Sequence, residues 1–312
     1  MARLWPVLRV LLAVAILGAV LVRVDPGAAL DEVRRAPVTA FAVPAVLLFF
    51  NTLLHGARLR LLLPDPLPSW GAVFRVVLLG NFFGVFLPTG GGEAAKVVVL
   101  GRRIGKLEEA AASLVTARVM ELVPWALFLV WGALAVLPDR LPAFVPLAWG
   151  VAAGFAGVVL VAAGALWWGD AVLLRLPPAV HRRLHPVTRV RAAPRRLALC
   201  ALLAFPFALV NVYVVAYILR AYGVALPAGD VLGVVPAVDV IIALPVTLSG
   251  IGVREGMFVH AFGAWGVAEP VALAVAFTRW SADLGRAMVG GVLFALAGDR
   301  RQDVTPPPSA GG

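Results

Sequence analysis

Asn81-Phe82-Phe83-Gly84-Val85-Phe86-Leu87-Pro88-Thr89-Gly90-Gly91-Gly92-Glu93-Ala94-Ala95-Lys96 cuts an apolar region, residues 70 to 104, with a proline, three consecutive glycines and two charges. Proline removes a backbone donor and glycine stabilises no helix, so this stretch does not read as one continuous helix. A second apolar region, 229 to 266, is interrupted in the same manner at Leu244-Pro245-Val246-Thr247-Leu248-Ser249-Gly250-Ile251-Gly252-Val253-Arg254-Glu255-Gly256. Both read as re-entrant hairpins or broken helices. Irregular backbone at membrane depth is tolerated mainly where it is buried or lines a cavity.

That the setting is a membrane follows from the rest of the chain. Its 312 residues are 62% hydrophobic and 14% charged, with a mean hydropathy of +0.95, against roughly 45 to 50% apolar in a soluble domain. A soluble globular protein is excluded. Hydropathy predicts six spanning helices, at about 5 to 24, 38 to 55, 109 to 137, 144 to 168, 197 to 219 and 269 to 297. The fold expected is an all-α polytopic membrane protein of about six spanning helices plus the two broken hairpins. One transmembrane unit covers 1–298, and the polar tail 299–312, with Pro306-Pro307-Pro308, is expected to be disordered. The first segment is read as an uncleaved anchor, since no small-x-small cleavage site follows Val24.

The net charge of +10 concentrates in loops, which is a topology signal rather than a nucleic-acid footprint. With both hairpins returning to their side of entry, one face of the membrane collects sixteen Lys and Arg, seven of them in the 175 to 196 loop. That face includes Arg58 and Arg60 as loop residues. The other carries five: Arg23, Arg34, Arg35, Arg140 and Arg220. The bias places both termini in the cytoplasm of a bacterial inner membrane.

The two halves, about 38–137 and 197–297, repeat one order of features: Leu-Pro, a Gly-rich break, a glutamate, then a helix with Thr, Arg and an acid. Glu93 to Arg118 is 25 residues and Glu255 to Arg279 is 24. The first hairpin enters from the cytoplasm and the second from outside, as in inverted-topology repeats, whose binding sites lie near the midplane between the halves. Packing relief by glycine and proline between close helices is the competing explanation.

Eleven charges fall at membrane depth: Arg75, Glu93, Lys96, Arg118, Glu121, Asp239, Arg254, Glu255, Arg279, Asp283 and Arg286. Each costs about 2.5 to 3.5 kcal/mol at a helix centre on insertion scales, so each needs a partner or a wet cavity. Spacings of three or four residues let Arg118 meet Glu121, and Asp283 meet Arg279 and Arg286. These pairs fix helix register on one reading and form a polar site on the other. Glu93, Lys96, Arg118, Arg254, Glu255 and Arg279 form the primary substrate-binding set, with Asp283, Asn81 and Asp239 beside them. Asn211 is read as an interhelical hydrogen bond.

Other chemistry finds no support. Gly101-Arg102-Arg103-Ile104-Gly105-Lys106-Leu107 is one residue short of a P-loop and lacks its Ser or Thr. Gly250-Ile251-Gly252-Val253-Arg254-Glu255-Gly256 misses the dinucleotide fingerprint. His181 and His185 sit among arginines, Ser249 has no histidine base in its motif, and Cys200 stands alone. No cofactor, metal or catalytic residue is expected.

The two quoted motifs, with the Arg118-bearing helix, resemble the flippase-like transmembrane family of lysylphosphatidylglycerol synthases over roughly 5 to 297. The Leu-Pro followed by Gly-x-Gly-x-Arg-Glu is the more specific part. In two-domain members this region is thought to flip aminoacylated phosphatidylglycerol, while a cytoplasmic domain makes it. No such domain is expected from this sequence, so the resemblance implies the lipid-handling half without enzyme activity. The implied cargo is an anionic phospholipid or polyprenyl-linked lipid, moved without ATP. Two other functions fit the sequence: an accessory subunit docking a glycosyltransferase or lipid-modifying enzyme through the 175 to 196 loop, and a secondary transporter of a small anion.

Overall fold

The computed structural model describes residues 15–87, 90–169, 171, 174, 175, 177–184, 190, 193–243 and 250–298, and every regular element among them is helical. The start of the first expected span, Pro88 and Thr89, part of the basic loop, 244–249 and the tail from 299 lie outside the described residues. Residues 15–23 form α1. There follow α2 (Pro26–Arg35), α3 (Thr39–Leu62), α4 (Trp70–Phe86), α5 (Gly91–Ile104), α6 (Leu107–Ala135), the single turn α7 (Leu137–Arg140), α8 (Val145–Trp168), α9 (Pro178–Leu184), α10 (Pro194–Ala221), α11 (Ala228–Ala243), α12 (Val253–Gly263) and α13 (Glu269–Gly298).

The all-α polytopic membrane fold is what the sequence leads one to expect. Among the described residues four helical stretches, Thr39–Leu62, Leu107–Ala135, Pro142–Trp168 and Pro194–Ala221, are long and apolar enough to cross a membrane. At 30 residues α13 has the length, about 45 Å at 1.5 Å per residue, but Arg279, Asp283 and Arg286 interrupt its hydropathy. Both broken regions are two helices each, α4 with α5 and α11 with α12.

Apolar side chains such as Leu127, Trp131, Leu160, Trp167, Leu202 and Phe294 stand exposed on the outer surface. A bilayer makes that arrangement favourable, because lipid tails are as apolar as leucine. Within the bundle, α8 packs on α6, and α2 packs on α13. Among the remaining helices one rule describes the principal contacts. Exchanging α3 with α10, α4 with α11, α5 with α12 and α6 with α13 maps the set onto itself: α4 packs on α13 as α11 does on α6, α5 on α6 as α12 on α13, and α3 on α13 as α10 on α6.

The related crossings are both glycine-mediated. A Cβ on Gly132 of α6 would lie 2.6 Å from the Gly233 carbonyl oxygen of α11, and one on Gly290 of α13 would strike the Leu78 carbonyl of α4. Only residues without a Cβ permit backbones this close.

One expectation is corrected. Arg58 and Arg60, counted as loop residues, lie inside α3, which continues to Leu62. Arg58 is 1% exposed. Its guanidinium donates to the Ala117 carbonyl at 2.7 Å, meets Glu121 Oε2 at 3.4 Å and lies 4.9 Å from the Phe207 ring centroid. This ring of partners lets the helix run on past a charge that hydropathy treats as its end.

Candidate functional site

The first half of the site is built at the junction of α4 and α5. Gly90 takes φ 91°, a left-handed conformation natural only to glycine, and so turns the chain into α5. Gly92 brings α5 against α4: a Cβ there would strike the Gly80 carbonyl and lie 2.9 Å from Gly84 Cα. At Gly80 the missing Cβ leaves the passage filled by the Lys96 side chain. Lys96 is consequently buried, with Nζ 2.9 Å from Glu93 Oε1 and 3.5 Å from His55 Nε2.

Glu93 stands in the first turn of α5, where the helix dipole favours a carboxylate. Its Oε1 also accepts from Arg118 of α6, whose other nitrogen reaches Glu121 Oε1 at 3.2 Å. Glu121 in turn meets Arg58. Five charges therefore alternate in sign from Lys96 through Glu93, Arg118 and Glu121 to Arg58, across α3, α5 and α6.

In the second half, Asp283 on α13 accepts from Arg279 at 2.5 Å and from Arg286 at 2.9 Å. Arg254 stands in the first turn of α12, and its buried Nη1 has no hydrogen-bond partner among the described residues. Glu255 does something else. It is 4% exposed and accepts from the Gly252 backbone N–H at 2.6 Å, closing the start of α12 as a capping carboxylate.

A cavity of about 410 Å³ joins the halves. Asn81, Glu93, Lys96 and Arg118 line it from one side, and Arg254, Arg279, Asp283 and Arg286 from the other. Five cations face two carboxylates there, so the cavity is electropositive and suited to an anion. Arg118 is 49% accessible despite its place inside a long spanning helix, because it opens onto this space.

A second, larger cavity of about 560 Å³ adjoins the first and shares Glu93 and Arg118 with it. Val97, Leu114, Leu122, Trp125, Phe155 and Val240 make most of its wall apolar, and Asp239 and Glu121 join the shared pair in its lining. The two spaces form an amphipathic whole, a charged compartment opening beside a hydrocarbon one.

Seven of the nine residues named from the sequence, Asn81, Glu93, Lys96, Arg118, Arg254, Arg279 and Asp283, thus line one cavity. Asp239 lines the apolar cavity. Glu255 is not among the described lining residues of either. Sequence reasoning left His55, Arg58 and Trp125 outside the site; only the helical spacing of His55 to Arg58 hinted at a shared face. Asn211 donates to the Phe207 carbonyl of its own helix at 2.9 Å, instead of bridging helices through that nitrogen. Among the described residues no three His, Cys, Asp or Glu side chains converge as a metal site.

Residues 7–284 match the family described as lysylphosphatidylglycerol synthase TM region. No curated protein and no solved structure matches the chain.

Proposed function

The chain belongs to the lysylphosphatidylglycerol synthase transmembrane-region family, and we propose that it is a lipid translocase of the bacterial inner membrane, with both termini cytoplasmic. The observation that carries this reading is the sharing of Glu93 and Arg118 between an electropositive cavity and an apolar one. A small soluble anion needs only the first. A lipid needs both: Lys96, Arg118, Arg254 and Arg279 hold the phosphate, while an acyl or polyprenyl chain lies along Leu122, Trp125 and Phe155. The charged lining replaces the hydration that a head group loses on entering hydrocarbon.

The exchange relation between the two sets of four helices suits an inverted repeat in which the halves rock about the shared cavity. The protein acts without ATP hydrolysis and without catalytic residues of its own. Its partners are membrane lipids.

A phospholipid carrying a photoreactive group midway along one acyl chain tests the pose. On irradiation it should label Leu122 or Phe155 in the wild type and lose that labelling in Arg279→Gln. Labelling confined to the outer residues Leu160 and Trp167 would contradict it.

A further inference from the structure

Four described carboxylates line the two cavities: Glu93, Glu121, Asp239 and Asp283. Three are held, Glu93 by Lys96 and Arg118, Glu121 by Arg58 and Arg118, and Asp283 by Arg279 and Arg286. Asp239 of α11 is different. Its side chain makes no hydrogen bond or ion pair with any described residue, and it lines the cavity whose wall is mostly apolar. An ionised carboxylate without a partner is costly at membrane depth, so this position calls for a ligand that neutralises it.

The surroundings select that ligand. The helix α11 packs on α6, α10 and α12. Arg118 and Glu121 of α6 and Glu93 of α5 line the same cavity, while α10 contributes no described lining residue. Arg254 of α12, with Arg279 and Asp283 of α13, acts on the Asp239 carboxyl through space. A metal cation needs several oxygen ligands, and here it would meet two arginines and an apolar wall. A cationic head group would meet the same arginines. A proton needs no other ligand. The other half carries a neutral counterpart: Asp239 stands five residues before Leu244 and Asn81 six before Leu87, so α4 has a permanently uncharged near-isostere where α11 has an acid.

The arginines also link the acid to the lipid. Arg254 and Arg279 line the electropositive cavity, and their positive field counters the negative charge of an ionised Asp239. A phosphate bound to them cancels that field and adds a negative charge of its own. The carboxylate then takes a proton from the aqueous phase and becomes a neutral acid facing the apolar wall.

We propose that Asp239 is a proton-binding site coupled to the anion cavity, so that one proton and one anionic lipid bind together and cross as a neutral pair. Resting on the translocase reading, this adds the ion that drives it: a proton gradient draws the lipid towards the alkaline side. Because linkage is reciprocal, lipid binding takes up a proton as surely as protonation favours lipid binding.

Titration calorimetry of the full chain in detergent with phosphatidylglycerol, in buffers of different ionisation enthalpy from mildly acid to mildly alkaline pH, counts the protons taken up per lipid. The wild type should take up as much as about one, and its affinity should fall by up to about tenfold per pH unit towards the alkaline end. Asp239→Asn stays neutral and loses no bond to a described residue, so it should take up none and bind with one affinity across the range. Lipid binding by the wild type without proton uptake, a result that needs no variant, would overturn the proton site alone. Uptake that persists in a folded Asp239→Asn would overturn its assignment to this residue. Failure of the wild type to bind the lipid at any pH would overturn the translocase reading as well. In proteoliposomes with a pH step and no membrane potential, the wild type should gather labelled phosphatidylglycerol on the alkaline side and Asp239→Asn should not; wild-type movement indifferent to the step would overturn the coupling.

Discussion

Glu93 and Arg118 lie 25 residues apart on different helices, and their side chains bond at the seam between the charged and the apolar cavity. Among the described residues Arg118 is the only cation lining both spaces. A phospholipid phosphate bound at this seam keeps its chains on one side and its head group on the other. Arg118→Gln should therefore lower lipid binding by about tenfold or more, the loss of a charge-assisted contact. Isothermal titration with phosphatidylglycerol checks this, and an unchanged affinity in the folded variant would remove Arg118 from the site.

Arg58 and Glu121 hold the opposite end of the same chain of charges, 3.4 Å apart. Glu121 reaches the apolar cavity, whereas Arg58 is buried behind it, and the role of Arg58 is structural. Arg58→Met leaves Glu121 with only Arg118 as a partner, and removing one member of a buried pair costs about 3 to 5 kcal/mol. Thermal unfolding in detergent should show a large fall in melting temperature, which adding Glu121→Leu partly restores because the second buried charge is then gone.

Arg254 and Glu255 are neighbours with opposite expectations. Arg254 Nη1 is buried beside the cavity and unpartnered among the described residues, so Arg254→Gln should weaken anionic lipid binding without lowering the melting temperature. Glu255 caps α12 through the Gly252 N–H. Its replacement by alanine should cost about 0.5 to 2 kcal/mol while the affinity of the folded fraction stays the same. A reversed pattern, in which Glu255→Ala abolishes binding and Arg254→Gln does not, would exchange the two roles.

The glycine crossings offer a test of the repeat. On Gly233 even a Cβ would lie 2.9 Å from Gly132 Cα and 2.8 Å from a Val136 methyl, and backbone cannot yield as a flexible side chain can. Gly233→Leu and Gly290→Leu should each destabilise by about 1 to 3 kcal/mol, as overpacking does. Thermal unfolding of both variants checks the relation, and a neutral Gly290→Leu beside a destabilised Gly233→Leu would deny that the two crossings are equivalent.

Much of this was legible in the sequence because hydropathy and backbone-breaking residues are local signals. The ranges of α6, α8, α10 and α13 and the start of α3 follow from apolar runs, and the breaks near Gly90 and Gly250 follow from composition. Pairings at three- and four-residue spacing were also legible: Arg118 with Glu121, and Asp283 with Arg279 and Arg286. The Glu93–Arg118 bond was not, since it joins different helices and no periodicity reports it. Arg58 was assigned to a loop because hydropathy weighs a charge without its partners. The apolar cavity was hidden for the opposite reason. Trp125 and Phe155 look the same in sequence whether they face lipid, a packed core or a ligand chain. Glu255 was grouped with the binding charges by its motif, yet the third position of a helix gives a carboxylate a local backbone partner first.

The most direct measurement is the transbilayer movement of head-group-labelled phosphatidylglycerol in proteoliposomes, comparing the wild type with Arg118→Gln and Arg279→Gln and with protein-free vesicles. A lipid translocase working through the shared cavity gives wild-type movement well above the protein-free leak, with both folded variants falling to near that leak. Wild-type movement at the leak rate, or variants that fold and move lipid as fast as the wild type, would contradict it.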